Sequence, residues 1–245
     1  MSLQQHPVFH AQRAPNHPAV INASSGAVIS YAELNQSSIT WANRLCAAGL
    51  QHGDHIAVMV KNHEGFYPVI WAGLRAGLIV TPISTQLKPA EALYIARDCG
   101  AKAVFLDTAI AAQHPELEAD FASLGLCLLL DCTTHRQLLA PAAAQYAELE
   151  GDIMLYSSGS TGFPKGIVSP WQRAQIGEAL TAALLLQGIF QASSADRFLF
   201  SAPLYHAAPL HWSCGMQRLG GTVVLMERFD AEAALEAIDH HQVTL

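Results

Sequence analysis

The sequence predicts an α/β fold in which parallel sheets are flanked by helices. Short apolar runs alternate with longer segments of helical periodicity, which is the pattern of successive strand–helix–strand units. The 245 residues are 51% hydrophobic and only 13% charged. Such a chain can bury a substantial core, which argues against disorder. A loop of small residues between two apolar segments adds a candidate ligand site to this framework.

The first strong helix is predicted by a capping box. Ser30 and Glu33 precede an apolar stripe that includes Leu34 and Trp41, and Gly49 ends it. Glycine and proline delimit the elements that follow. The predicted helices cover residues 63–76, 89–100 and 108–121, with a break at Pro115, and the predicted strands cover residues 56–60, 78–82, 103–106 and 126–130.

A second α/β run follows a connector without strong periodicity at residues 133–150. We therefore predict two α/β subdomains, residues 1–140 and residues 141–245, the second of which carries the small-residue loop. In the second run we predict a helix near residues 172–187, strands at 198–202 and 222–226, a segment at 206–219, and a helix from Ala231 with Asp230 as its N-cap.

The charge and cysteine content exclude several classes of protein. The net charge is −7, with 13 basic and 20 acidic residues, which argues against nucleic acid as a partner. No apolar stretch is long enough to span a membrane, and residues 1–10 lack the apolar core of a signal peptide. The five cysteines are scattered without a Cys-x-x-Cys pair, so we expect reduced thiols in a cytoplasmic protein.

The loop at residues 157–166 is the most informative segment. Six small residues, 157–162, precede Pro164, Lys165 and Gly166. Such a loop can direct backbone N–H groups, hydroxyls and one ammonium group at a polyphosphate. The spacing differs from that of a Walker P-loop and of a nucleophile elbow. A flexible linker is the alternative, but the apolar flanks and the Pro-Lys-Gly exit count against it.

Residues 156–166 read Tyr-Ser-Ser-Gly-Ser-Thr-Gly-Phe-Pro-Lys-Gly. This string resembles the phosphate-loop signature of the adenylate-forming superfamily, which contains acyl- and aryl-CoA ligases, luciferases and the adenylation domains of peptide synthetases. Residues 29–34, 74–82 and 220–225 resemble other segments of that superfamily in the same order. The resemblance implies a layered αβαβα arrangement, as in the N-terminal part of the large domain of such an enzyme.

The resemblance also implies a reaction. The carboxylate of an acid attacks ATP to give acyl-AMP and pyrophosphate, and coenzyme A then displaces AMP. ATP, Mg²⁺ and coenzyme A as a cosubstrate are therefore expected. Thr161, Lys165 and His206 would be catalytic, with Thr161 also near the metal. The residues implied to hold the phosphates of ATP are Ser157, Ser158, Gly159, Ser160, Thr161, Gly162 and Lys165.

A second motif, Pro-Leu-Tyr-His, ends at His206. Taken alone, His206 is more simply a structural histidine. The motif resembles Pro-(Leu/Met)-(Phe/Tyr)-His of the acyl- and aryl-CoA ligases, in which the aromatic–histidine pair lines the acid pocket. The resemblance thus implies that Tyr205, His206, Ala207 and Ala208 contact the acid. No aspartate lies between residues 199 and 212, where amino-acid-activating relatives carry one, so a fatty or aromatic acid is expected.

Some features leave alternatives open. Trp171 stands where relatives often have histidine, which is a departure from the family pattern just after the phosphate loop. Family members are about twice as long, so we expect this chain to be an N-terminal fragment that is inactive by itself. Transfer of the acyl group to a carrier-protein thiol, or a non-catalytic nucleotide-binding role, are the alternatives. An open sheet edge near Leu245 would favour association, and a homodimer is left open.

Overall fold

The computed structural model describes residues 5–139, 143–157, 164–168, 174–178 and 182–245. Within these residues the helices are α1 (Pro7–Arg13), α2 (Tyr31–Ala47), α3 (Phe66–Arg75), α4 (Pro89–Asp98), α5 (Thr108–Gln113), α6 (Glu116–Ala122), α7 (Ala182–Phe190), α8 (Ala207–Leu219) and α9 (Ala231–His240), with a 3₁₀ turn at Thr134–Leu138. The strands there are β1 (Pro18–Asn22), β2 (Val28–Ser30), β3 (His55–Met59), β4 (Ile79–Pro82), β5 (Ala101–Asp107), β6 (Leu126–Leu130), β7 (Asp152–Ile153), β8 (Leu155–Ser157), β9 (Lys165–Ile167), β10 (Arg197–Phe200) and β11 (Thr222–Leu225).

The first sheet has the strand order β6-β5-β3-β4-β7, and all of its pairings are parallel. This confirms the predicted series of strand–helix–strand units. The central strands β3 and β4 are mostly apolar because both faces of the sheet are covered there. Ile56 and Val58 of β3 enter one core cluster, while Ala57 and Met59 enter the other. The core therefore lies on both sides of this sheet.

The second sheet combines strands from both ends of the chain. Its order is β10-β11-β1-β2, in which β1 and β10 pair with β11 in parallel and β2 is antiparallel to β1. Strand β7, from beyond residue 141, joins the first sheet instead. The division into residues 1–140 and 141–245 stays a prediction, and strands cross it in both directions.

Helices α2, α3 and α8 occupy the layer between the sheets. Trp71 of α3 donates a hydrogen bond from Nε1 to Oε1 of Gln217 in α8, at 2.6 Å. The hydroxyl of Tyr31 in α2 donates to the backbone carbonyls of Gln217 and Gly221, at 3.1 and 2.7 Å. Side chains of both sheets, such as Val58 and Val223, join one core cluster around these helices. The layered α/β architecture predicted from the sequence is thus confirmed.

Local signals set most of the helix ends. The backbone N–H of Glu33 donates to Ser30 Oγ at 3.3 Å, and that of Ser30 donates to Glu33 Oε2 at 2.8 Å, so the predicted capping box is confirmed. The predicted start of α3 at residue 63 is wrong by three residues. His63 Nδ1 accepts the backbone N–H of Gly65 at 3.1 Å, which holds a turn before Phe66.

The helix predicted near residues 172–187 has different limits. Helix α7 extends to Phe190, whereas the described residues 174–178 form a turn with an isolated bridge at Gln175. Residues 172–173 and 179–181 lie outside the described residues. None of the helices in the described part of the chain has the length and apolar character needed to cross a membrane.

Two buried arginines fasten the connector before β7 to the interior helices. Arg218 of α8 forms two hydrogen bonds with the carboxylate of Glu150, at 2.9 and 2.8 Å, and both side chains are nearly inaccessible to solvent. Arg75 of α3 donates from Nε to Glu148 Oε1 at 2.9 Å and from Nη1 to Ser38 Oγ at 2.7 Å. The connector therefore has a defined path although its sequence shows no periodicity.

The Arg218–Glu150 pair can be tested with single and double substitutions. We expect Arg218→Met and Glu150→Gln each to lower the free energy of unfolding by about 3–5 kcal/mol, because each leaves a buried group without its charge partner. The double variant should lose clearly less than the sum of the two. Urea unfolding measures these values, and strictly additive losses would contradict the pairing.

Candidate active site

The phosphate-loop sequence closes a β-hairpin. Strands β8 and β9 are antiparallel, with Ser157 directly opposite Lys165 and Tyr156 opposite Gly166. The side chains of Ser157 and Lys165 are exposed at the mouth of this hairpin. The structure therefore brings the first and last predicted phosphate-binding residues together. The other predicted residues of the loop lie outside the described residues: Ser158, Gly159, Ser160, Thr161 and Gly162. Trp171 also lies outside them.

The base of the hairpin packs closely around Gly166. A Cβ atom on Gly166 would lie 2.0 Å from Met154 Cε and 3.1 Å from the ring of Tyr156.

The hydroxyl of Tyr156 donates a hydrogen bond to Asp98 Oδ2 at 2.5 Å, which anchors β8 to the end of α4. Burial, followed by this bond to a carboxylate, raises the pKa of Tyr156 far above its usual value. The tyrosine therefore stays protonated and anchors the hairpin rather than acting as an acid or base.

The second predicted site lies at the start of α8. His206 is the N-cap residue of this helix, and the Tyr205 and His206 rings are 4.6 Å apart and tilted by 59°. His206, Ala207 and Ala208 are exposed, whereas Tyr205 is half-buried. The unpaired N–H groups at a helix N-terminus favour a carboxylate. The four residues predicted to contact the acid are therefore contiguous, and three of them are exposed.

A cleft of about 1100 Å³ opens beside this segment. It lies outside the carboxyl ends of the parallel strands, including those of β3 and β5. The order β4-β3-β5-β6 places the topological switch point between these two strands, where open α/β sheets bind ligands. The cleft lining includes Lys61, Asn62, His63, Asp107 and Asp131 at the carboxyl end of the first sheet, and Pro203, Tyr205 and Glu227 at that of the second.

The sequence analysis missed this cleft, although a signal was present. Polar residues stand at the carboxyl ends of three apolar strands: Lys61 to His63 after β3, Asp107 at the end of β5, and Asp131 after β6. The carboxyl ends of parallel strands share one edge of a sheet, so these residues had to converge. Among the described residues, no group of three His, Cys, Asp or Glu side chains is arranged to hold a metal ion.

Asp107 supplies the main fixed negative charge at the switch point. Its Oδ2 lies 3.3 Å from His63 Nε2 and accepts the backbone N–H of Lys61 at 3.1 Å, while Oδ1 accepts that of Ala109 at 2.9 Å. Burial opposes ionisation of this carboxyl group. The close contact with His63 and the hydrogen bonds from the backbone N–H groups of Lys61 and Ala109 outweigh burial and hold the pKa of Asp107 below its usual range. Asp107 is therefore ionised at neutral pH and joins the loop after β3 to the start of α5.

The chain matches the AMP-binding enzyme family over residues 9–245. It belongs to this family. Among its relatives, a feruloyl-CoA synthase of Amycolatopsis sp is 31% identical over 244 residues, which cover 98% of this chain and 47% of the relative. The long-chain-fatty-acid–CoA ligase FadD13 of Mycobacterium tuberculosis is 26% identical over 238 residues, which cover 95% of this chain and 46% of that relative. This AMP-binding chain thus spans about half the length of the curated relatives it matches.

Solved structures agree with the family assignment. The N-terminal domain of FACL13 from Mycobacterium tuberculosis has a TM-score of 0.79 and 25% identity, and the match covers 97% of this chain and 60% of that one. O-succinylbenzoate coenzyme A synthetase from Bacillus subtilis, in complex with ATP and magnesium ion, shares the fold with a TM-score of 0.73. The identity is 23%, and the match covers 98% of this chain and 61% of that one. The predicted adenylate-forming superfamily is confirmed.

Asp107 should contribute to stability in a pH-dependent way. A folded-state pKa below the unfolded value adds stability at pH above about 4, and this stability is lost as the pH falls through the folded pKa. We expect Asp107→Asn to lower the free energy of unfolding at pH 7 by about 1.5–3 kcal/mol and to flatten its decline in acid. Urea unfolding at several pH values measures both.

The exposed Asp239 provides the control for this series. Asp239→Asn should leave the acid-side profile close to that of the unaltered protein. An Asp107→Asn profile that declines as steeply in acid as the unaltered one would show that the hydrogen bonds at the switch point do not govern this ionisation.

Proposed function

We propose that the full-length protein is an ATP-dependent carboxylic acid–CoA ligase, with this chain holding ATP and the acid. In the first step a carboxylate oxygen of the acid bonds to the α-phosphorus of ATP, and the bond to the pyrophosphate oxygen breaks. In the second step the thiolate of coenzyme A bonds to the acyl carbon, and AMP leaves. The products are acyl-CoA, AMP and pyrophosphate.

The observation that carries this proposal is the register of the phosphate-loop hairpin. Lys165 stands opposite Ser157 where the loop begins and ends, and both are exposed. The acid and the polyphosphate are both anions, so their approach requires cations and fixed donors. Lys165 would bind the β- and γ-phosphates, together with Ser157 and the loop residues. When bound, Mg²⁺ would neutralise phosphate charge, and by the family resemblance Thr161 would be one of the loop residues that hold it.

The acid site supports a fatty or aromatic substrate. The His206 imidazole can donate a hydrogen bond to the carboxylate, and Ala207 and Ala208 leave room beside it without adding charge. No aspartate is available between residues 199 and 212 to bind an ammonium group. Relatives named for feruloyl and long-chain fatty acyl substrates agree with this choice.

A carrier-protein thiol is the second candidate acceptor. The fatty acid–[acyl-carrier-protein] ligase ScoC of Streptomyces coeruleorubidus is 28% identical over 243 residues, covering 97% of this chain and 46% of the relative. Supplying coenzyme A and a phosphopantetheinylated carrier protein in parallel, and identifying the acylated thiol by mass spectrometry, distinguishes the two.

The location and assembly of the protein are also proposals. The five cysteines, all within described residues, are free, which is usual in a reducing compartment, so we propose a cytoplasmic location. Exposed apolar side chains at Phe229, Leu235 and Ile238 support self-association, and a homodimer stays a prediction.

Replacing the loop lysine tests the phosphate site. In the full-length protein, Lys165→Ala should lower pyrophosphate release by about 100-fold, because a donor to developing charge contributes about 3 kcal/mol. The control is Lys88→Ala, which removes an exposed lysine at the start of α4. Release from the Lys165 variant at the rate of the control would refute the phosphate role.

Replacing the N-cap histidine of α8 tests the acid site. His206→Ala should lower kcat/KM for the acid by about tenfold or more, through loss of one charge-assisted hydrogen bond of about 1.5–3 kcal/mol. The KM for ATP should change little, and the exposed His240→Ala serves as control. The measurement is pyrophosphate release with a panel of fatty and aromatic acids. If the rate depends on acid concentration in the same way in the His206→Ala and His240→Ala variants, His206 is excluded from the acid site.

A further inference from the structure

The segment from Ala202 to His206 carries the proposed acid-binding pair but has little support of its own. It joins the end of β10 to the start of α8. Within it, the backbone N–H of His206 donates to the carbonyl of Pro203 at 3.2 Å. His206 makes no side-chain cap to α8. Leu204 is completely buried, so its side chain anchors the turn in the core. This anchor does not by itself set the orientation of Tyr205 and His206.

Asn62, from the other sheet, supplies the missing support. Its side chain is buried at the switch point after β3. Asn62 Oδ1 accepts the backbone N–H of Leu204 at 2.9 Å, and Nδ2 donates to the carbonyl of Ala202 at 3.0 Å. These two contacts bracket Pro203. A further donation from Nδ2 reaches the carbonyl of Met226, at 3.3 Å, just after β11.

The chemistry of these contacts requires a primary amide. The backbone presents one donor and two acceptors, and an amide answers with one acceptor and two donors. A carboxylate would satisfy the N–H of Leu204 but repel both carbonyls. An alkyl side chain would leave all three groups without Asn62 as a partner. Because buried N–H and C=O groups without partners are costly in free energy, the turn should change its conformation when these contacts are lost.

We propose that Asn62 is a positioning residue for the acid-binding turn, which it holds so that Tyr205 and His206 face the acid at the mouth of the cleft. This inference rests on the proposed function. Asn62 does not touch the reacting atoms, and it acts through the backbone of residues 202–204. It couples the loop after β3 of the first sheet to the acid site beside the second.

Asn22 offers a matched control. Its side chain is also a buried amide that links the two sheets at their carboxyl ends. Asn22 Nδ2 donates to Glu64 Oε2 and Glu227 Oε1, each at 2.9 Å, and the described contacts of its side chain do not include the turn at residues 202–206. Loosening of the junction between the sheets would affect both variants, whereas loss of positioning would affect only the Asn62 variant.

The kinetic test uses the full-length protein and pyrophosphate release. We expect Asn62→Ala to raise the KM for the acid about tenfold, because a small displacement of a positioning group is costly, and to leave the KM for ATP within about twofold. The isosteric Asn62→Asp should act in the same direction, and Asn22→Ala should leave both KM values nearly unchanged. An acid KM that does not change, or that rises equally in the Asn22 variant, overturns the proposal.

A double variant shows whether Asn62 acts through His206. If it does, the loss in Asn62→Ala combined with His206→Ala should be clearly smaller than the product of the two single losses. Independent losses that multiply would overturn the proposal.

Hydrogen exchange at Leu204 tests the contact without any assay of activity. The Leu204 amide should exchange at least about tenfold faster in the Asn62→Ala variant and unchanged in the Asn22→Ala variant. Unchanged exchange in the Asn62 variant refutes positioning whatever the enzyme does. Faster exchange in a full-length protein that releases no pyrophosphate with any acid would instead refute the proposed function, and with it the link from Asn62 to an acid.

Discussion

The structure depends on one buried ion pair, Arg218–Glu150. Arg218 lies near the end of α8, whose N-cap is His206, and Glu150 lies just before the strands that lead to Ser157. The pair therefore joins the two elements that carry the candidate phosphate and acid sites. The Arg218 guanidinium also lies 5.1 Å from the centre of the Trp71 ring and donates to the carbonyl of Gln5 at 2.8 Å. With so many partners, the buried charge is compensated, and its position is tightly specified.

A second constraint arises where the two sheets meet. The carboxyl ends of parallel strands leave backbone and side-chain polar groups that must be satisfied in a partly buried setting. Asn22, Asn62 and Asp107 satisfy them, each by contacts that join separate segments of the chain. Asn62 and Asp107 also line the cleft. The polar junction thus holds the sheets together, and Asn62 and Asp107 shape the surface next to the proposed acid site.

The predictions succeeded where a signal is local. The capping box at Ser30, the N-cap at Asp230 and the parallel pairing within the first sheet followed from sequence patterns, and all were confirmed. The predicted start of α3 was wrong because the His63 side chain accepts the backbone N–H of Gly65 and holds a turn before Phe66. Such a side-chain-to-backbone contact competes with helix formation and leaves no periodic pattern in the sequence. The register of Ser157 with Lys165 agrees with apolar flanks that read as strands.

The sequence alone determined the family to which the chain belongs, because the phosphate-loop signature and the Pro-Leu-Tyr-His motif are contiguous and need no tertiary contact to be recognised. Tertiary structure decided how those motifs are held. Strands β1 and β2 lie near the beginning of the chain but complete a sheet with β10 and β11, and Asn62 binds carbonyls 140 and 164 residues away. Hydrogen bonds over such separations depend on the packing of whole layers, so no local pattern of residues specifies them.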